Sequence, residues 1–410
     1  MKLLCIDHEG GFGGSSRSLY YLLKNIDNKK INKHVWIGKN GPIVSMYNDL
    51  DISNIVFKGF PVFNTVFRFT RNILGILYFI YKIITSIKSI IYMTRKINNE
   101  FDLVHFNHPN LFLLAVILRL FTNKPFTFHI RTSLEDLYEG NKTFKFTYNF
   151  NNYTSRLFAK LQVNIISKVS DSLIFISNFE KKSFINLGGT INGKVVPNIA
   201  DSSKLDINNL CFKSEKRFKV AVIENYRWSR GTDRILDIAL AFQKLNITNI
   251  VFIVAGDMTI PNHIGNKLFK SSGKNTSFSD YIAYKGISNY FIFLGHVSNP
   301  EKIIMSCDIL TSLSRRGGPW GRSVIEALKL GKPVVSAGLN KGIVLNKKNG
   351  IHINKYNANV IAKKISYLSH NKKEYKKLST GAKKHIEINY DSKKNANKIM
   401  FFWQNIIALR

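Results

Sequence analysis

The sequence predicts an α/β protein of two doubly wound, Rossmann-like domains facing a central cleft, and three observations predict it. Its 410 residues exceed what one hydrophobic core usually serves, which favours two domains of about 150–200 residues. An apolar content of 45% is enough to fill packed cores. Short buried-strand patterns alternate with helical periods along the whole chain, as a parallel sheet with crossover helices requires.

The first series of strand-like runs is "KLLCID", "HVWIG", "NIVFK", "DLVHFN", "FTFHIR" and "SLIFIS". A second follows as "KVAVIE", "IVFIVAG", "YFIFLG", "ILTSL" and "PVVSAG". Between them, polar and turn-forming residues replace the apolar periods near 200–216, so the expected domains are 1–200 and 216–390. Residues 391–410 read as a last helix with apolar positions 399, 402, 406 and 407. In facing α/β domains, ligands gather in the loops after the strands.

Sixty Lys and Arg against twenty-six Asp and Glu give a net charge of +34, which attracts phosphate groups in nucleic acid, anionic lipid or a phosphorylated substrate. Composition alone does not choose among these, and a lysine-rich solvated surface produces the same sum. Cys5, Cys211 and Cys307 are too few and too scattered for a disulfide framework or a metal site, which fits a reducing compartment. The opening "MKLLCIDHEGG" reads as a buried strand, with too short an apolar run for a secretory signal. The segment 71–96 has helical apolar spacing at 73, 77, 80, 84, 87 and 91, interrupted by Lys82 and Lys88. Its longest apolar run is under half of a membrane span of about 20 residues. It suits a helix packed on its domain or one lying on an anionic membrane surface.

Four constellations carry possible chemistry. In "EGGFGGSSRSL", Gly10, Gly11, Gly13 and Gly14 allow close backbone approach ahead of a helix N-terminus, though the dinucleotide fingerprint is incomplete. In "SRRGGPWGRSVIEALKLGKPVV", Gly321, Arg322 and Ser323 form the expected first turn of a helix able to hold a diphosphate without a metal, and Glu326 follows one turn later. A carboxylate there can accept hydrogen bonds from a vicinal diol. Arg227 and Arg230 follow the first strand of the second domain, where guanidinium groups suit phosphate oxygens. Finally, His105, His108 and His129 punctuate strand ends; the His-x-x-His spacing is poor zinc geometry, while His129 can donate to a hydroxyl or ring oxygen. "DLD" at 49–51 lacks the context of a metal-nucleotide motif, so no metal or other cofactor is expected.

Taken together, "GGSSRSLYYLL", "FDLVHFNH", "PFTFHIRTS", "LIFISNFEKKSFINLGG", "KVVPNIAD", "SRGTDRILDIALAF", "FIFLGHVSNPEKIIMSCDILTSLS" and "PWGRSVIEALKLGKPVVSAG" resemble the retaining glycosyltransferases of the GT-B fold, family 4, over nearly the whole chain. The resemblance implies metal-independent transfer of a sugar from a nucleoside-diphosphate-sugar held mainly by the second domain to an acceptor on the first. It also implies a last helix that crosses back to the first domain. By position, Glu326 matches the family's ribose-binding glutamate, the 321–323 backbone its diphosphate cradle, and "GHVSNPE" at 295–301, with Gly295, His296 and Val297, the loop holding the base. His129 matches the histidine near the donor sugar, and Gly13 and Gly14 the glycine loop beneath the phosphates.

Two departures stand out. Asn225 and Arg230 occupy positions where the family commonly has arginine and lysine, so Arg230 keeps the charge and Arg227 is the candidate replacement for the lost guanidinium. Gly318 stands where the first glutamate of the family's pair meets the donor sugar, removing a contact worth about 1–3 kcal/mol. The consequences are an unusual sugar held by the Gly317-Gly318 backbone or by Arg316, the usual sugar at lower efficiency, or loss of catalysis. The basic first domain and its 57–96 segment suggest a saccharide acceptor, lipid-linked at the cytoplasmic membrane face, in lipopolysaccharide, O-antigen or capsule-type assembly. The contrasting reading is a noncatalytic polyanion- or nucleic-acid-binding protein, but no nucleic-acid module signature is present, so no nucleic-acid partner is expected.

Overall fold

The computed structural model describes residues 1–11, 13–57, 73–134, 152–190, 192–201, 211–226, 230–259, 278–315, 321–338 and 342–410. The chain separates into two compact units. One comprises Met1–Leu134, Arg156–Ile199 and Ser392–Arg410, and the other is built on Ala200–Asp391.

Unit 1 runs β1 (Lys2–Asp7), α1 (Gly14–Lys24), β2 (Asn32–Ile37), α2 (Pro42–Asn48), β3 (Ser53–Val56), α3 (Ile73–Glu100) and β4 (Leu103–Phe106). It continues through α4 (Phe112–Arg119), β5 (Phe126–Ile130), α5 (Asn152–Val169), β6 (Ser172–Phe175), α6 (Asn178–Asn186) and β7 (Gly193–Val195). The seven strands form one sheet in the order β3-β2-β1-β4-β5-β6-β7, all pairs parallel. Every residue of β4, β5 and β6 is buried. That is why these strands read as continuous apolar runs: helices cover both faces of a parallel sheet.

Unit 2 repeats the plan with β8 (Phe218–Ile223), α7 (Arg234–Lys244), β9 (Ile250–Ala255), α8 (Phe278–Tyr284), β10 (Phe291–Gly295), α9 (Pro300–Ser306) and β11 (Ile309–Ser312). Next come α10 (Arg322–Lys329), β12 (Val334–Ala337), β13 (Gly350–Ile353), α11 (Ala358–His370) and α12 (Lys372–Asn389). Its six strands are parallel in the order β10-β9-β8-β11-β12-β13. Two strands escape the apolar-run reading, β7 and β13. Both lie at sheet edges and begin at glycine, so neither presents a long buried run.

The last helix, α13 (Ser392–Ala408), belongs to unit 1. Ala396, Ile399, Met400, Phe402 and Trp403 on it join the core formed by β1, α1 and β2, and Trp403 is wholly buried. The inward apolar positions are thus 396, 399, 400, 402 and 403, whereas Ile406 and Ile407 are only partly buried.

Candidate active site

Strand order reverses between β1 and β4 in the first sheet and between β8 and β11 in the second. At such a point the chain segments leaving the two strands diverge to opposite faces, and a crevice opens beyond their carboxyl ends. Gly13 and Gly14 follow β1, Arg230 follows β8, and Gly321, Arg322, Ser323 and Glu326 follow β11, at these two edges.

In unit 2, α10 leaves the carboxyl end of β11. Gly321 is its N-cap and carries no capping side chain, so the first turn presents N–H groups and the positive end of the helix dipole. Arg322 and Ser323 open the helix and are buried. Glu326, one turn later, is only 2% exposed, and its Oε1 lies 2.9 Å from Nε of Arg322. Arg322 Nη2 also donates to the Asp201 carbonyl at 3.1 Å. Lys329 Nζ donates to the Ala200 carbonyl at 2.8 Å and lies 3.7 Å from the Asp201 carboxylate. The end of "VVPNIAD" is thereby strapped along α10 by charged side chains.

The loop after β8 interlocks with the segment after β11. Gly231, at φ +69°, packs against the Leu313 carbonyl. Arg234 Nη1 donates to the carbonyls of Leu313 and Ser314 at 2.9 and 3.0 Å. Arg315 forms a two-pronged pair with Asp233, its Nη1 2.7 Å from Oδ1 and its Nη2 on Oδ2. Arg230 directly precedes this clamp, half-buried and with no carboxylate partner among the described residues. Asn225 accepts from the Asp257 amide at 2.9 Å, so its side chain fastens the ends of β8 and β9 together. Gly256, at φ +137°, donates its amide to the Gly295 carbonyl at 2.7 Å. Beyond it His296 is exposed, while Val297 packs onto the core. Arg227, Arg316, Gly317 and Gly318 lie outside the described residues.

In unit 1, Gly13 is the N-cap of α1, again without a side-chain cap, and both Gly13 and Gly14 are exposed. Gly10 serves a different purpose: a Cβ there would stand 1.9 Å from the Lys39 carbonyl oxygen, so backbone packs on backbone. His129 lies within β5, 2% exposed, its ring 5.6 Å from that of His105, which in turn meets Trp403 at 5.0 Å. His105 Nδ1 pairs with Thr127 Oγ1 at 2.9 Å, while neither ring nitrogen of His129 has a hydrogen-bond partner. Burial, with the Arg131 charge adding to it, holds both imidazoles well below the ordinary histidine range, so both are neutral. His108 instead accepts from the Asn110 amide at 3.2 Å and faces His8, rings 4.5 Å apart. His105 and His108 therefore point to different surroundings, and no three His, Cys, Asp or Glu among the described residues gather as a metal site.

Sequence reasoning missed a polar cluster at this edge. Asn107 Nδ2 donates to Asp7 Oδ2 at 3.0 Å, and Asn107 Oδ1 accepts from Arg131 Nε at 2.9 Å. Arg131 Nη1 reaches Asn198 Oδ1 at 2.6 Å, and His8 lies 3.3 Å from the Asp7 carboxylate. All five residues are more than nine-tenths buried. The available signal was a single polar residue at or just after the close of each apolar run.

The description "Glycosyltransferase Family 4" matches residues 12–204, and "Glycosyl transferases group 1" matches residues 209–385. Poly(ribitol-phosphate) alpha-N-acetylglucosaminyltransferase of Staphylococcus aureus is 22% identical over 275 residues, 65% of this chain and 54% of that protein; the chain thus spans about half the length of this curated relative. Among solved structures, Anabaena HepE in complex with UDP-glucose superposes with a TM-score of 0.73 at 20% identity, covering 99% of this chain and 100% of HepE. A variant of S. aureus TarM in complex with Fondaparinux, alpha-GlcNAc-glycerol and UDP gives 0.66 at 14% identity, with 99% of each chain covered. With two parallel doubly wound sheets and family matches that together run from residue 12 to residue 385, the chain belongs to the GT-B glycosyltransferases of family 4, group 1.

Proposed function

We propose that this glycosyltransferase moves a sugar from a uridine-diphosphate-sugar to a saccharide acceptor of a surface polysaccharide, without a metal ion and with retention at the anomeric carbon. The observation that carries the reading is the uncapped start of α10, which follows β11, together with the interlock after β8 and β11 that Arg230 directly precedes. The 321–323 amides and the helix dipole take the diphosphate, and Arg230 with Arg227 neutralises the charge that grows on the departing phosphate. The 321–323 amides are fixed donors already in place at the helix start, so little reorganisation of them accompanies bond breaking. No protein carboxylate is required as nucleophile: the leaving phosphate oxygen accepts the acceptor hydroxyl's proton on the same face of the sugar. His129, neutral within β5, is the group assigned by position to the neighbourhood of the sugar. Glu326 takes the ribose diol, its orientation set by Arg322. Gly318 leaves the sugar subsite short of one carboxylate, which favours a deoxy- or amino-modified sugar. The complexes of HepE with UDP-glucose and of TarM with UDP support the donor nucleotide, and the poly(ribitol-phosphate) in the name of the S. aureus relative supports a polymeric acceptor. The net positive charge of the first unit supports a lipid-linked acceptor at the cytoplasmic membrane face.

A panel of UDP-, GDP- and ADP-sugars tests this by thermal stabilisation, which grows with ligand concentration over its dissociation constant. A UDP-sugar should raise the melting temperature equally with and without a chelator, and proton NMR of the product should show the donor's anomeric configuration. Absence of stabilisation by every nucleotide-sugar overturns the reading.

A further inference from the structure

Helix α3 has two apolar faces. Ser86, Ile90, Met93 and Ile97, spaced four and three residues apart, are buried against unit 1. Leu77, Ile80, Ile84, Ile87 and Ile91 share the same spacing on another side, about a third of a turn round, and are exposed, Leu77 by 56% and Ile84 by 59%. Tyr81 and Tyr92 flank this second face, also exposed. Nor does the surface stop at the helix. Asn98 lies on the same face two turns beyond Ile91, and its Nδ2 donates to the Phe121 carbonyl at 3.0 Å. That bond brings up Leu120 and Phe121, exposed by 73% and 60%. A row of exposed apolar side chains of this kind, with a second exposed pair near its far end, marks a contact site rather than chance exposure.

Charge identifies the occupant. From Ile73 to Asn99 the sequence contains no acidic residue. Lys88 and Arg95, each four residues after an exposed isoleucine, rise from the same face and are themselves exposed. Two copies of this face would set like charges against each other, and lysine is depleted at protein–protein contacts. An anionic bilayer satisfies both halves: apolar side chains enter the acyl boundary while cationic heads on long stems reach lipid phosphates. Among the described residues no helix is long and apolar enough to cross a membrane, so the contact lies in the plane of the surface.

We infer that the outer face of α3, extended by Leu120 and Phe121, seats unit 1 on an anionic lipid surface. The test is co-sedimentation of the full chain with vesicles of phosphatidylcholine alone and of equal parts phosphatidylcholine and phosphatidylglycerol. The chain should bind the mixed vesicles at least about tenfold more tightly. Ile84→Glu with Ile87→Glu should lower that binding about tenfold or more, with an unchanged melting temperature since both positions face outward. Lys88→Gln with Arg95→Gln should remove part of the preference for phosphatidylglycerol and flatten its salt dependence. Wild-type binding by the isoleucine variant, or no binding by the parent, overturns the inference. So does a sedimentation coefficient that falls on substitution, which would assign the face to a second copy. Nucleotide-sugar binding is not read in this assay, so its outcome is separate from that of the transferase reading.

Discussion

The carbonyl oxygen of Leu313 occupies the place where a side chain on Gly231 would begin: a Cβ there would stand 2.1 Å from it, at a residue already held at φ +69°. Only glycine meets both conditions without strain. Gly231→Ala should therefore push the Arg230 loop away from the segment after β11. We expect a loss of about 1–3 kcal/mol in stability, measured by urea unfolding, and a larger proportional loss of UDP-sugar affinity. Unchanged affinity would show that the interlock does not shape the donor site.

Glu326 and Arg322 form a buried i,i+4 pair with side chains 1% and 5% exposed. Removing one partner strands the other charge, so Glu326→Gln should cost about 3 kcal/mol. Replacing both partners, as Glu326→Leu with Arg322→Met, should recover most of that stability, because an apolar pair of similar volume replaces a buried ion pair at little cost. Nucleotide affinity should stay low in the double variant if the carboxylate meets the ribose. Recovery of affinity together with stability would make Glu326 purely structural.

His105 and His129 are neutral in the fold because burial lowers their pKa values, whereas the unfolded chain protonates histidine near pH 6.5. Below that pH the unfolded state binds more protons than the folded one. Stability is therefore full above about pH 6.5 and falls beneath it, by up to about 1.4 kcal/mol per pH unit for each ring. Unfolding free energies taken on both sides of that pH should show the slope. His129→Asn should remove one ring's share of it.

Trp403 is fully buried in the unit 1 core against His105. Trp403→Ala should cost about 3–5 kcal/mol. Hydrogen exchange should quicken in the amides of β1 and β4 and stay unchanged in β8 and β9, since the lost packing belongs to one unit.

Much of this was legible in the sequence because buried parallel strands are uniformly apolar and their turns carry glycine. β7 and β13 were not, since a short edge strand opening at glycine lacks that uniform run. The helix at 73–100 was legible as a helix but not in its surroundings: the same spacing serves a packed face and an exposed one, and only burial separates Ile90 from Ile91. The α10 start was readable from glycine before an amphipathic helix. Its Arg322–Glu326 pair was written in the i,i+4 spacing and overlooked in favour of a ligand role. The Asp7, Asn107, Arg131 and Asn198 cluster was the hardest to see, because each member comes from a different strand end and acquires meaning only when the sheet order brings them together.

The membership of α13 in unit 1 has a consequence for biosynthesis. Ile399, Met400 and Trp403 complete a core begun by Leu3 and Cys5, so the first half of the chain emerges from the ribosome with that core unsealed. The unit built on Ala200–Asp391 is translated in full before the sealing helix appears. The lobe whose synthesis starts first is thus the one that finishes maturing last, and in the interval its open apolar wall is the nascent protein's point of greatest exposure to chaperones and to aggregation.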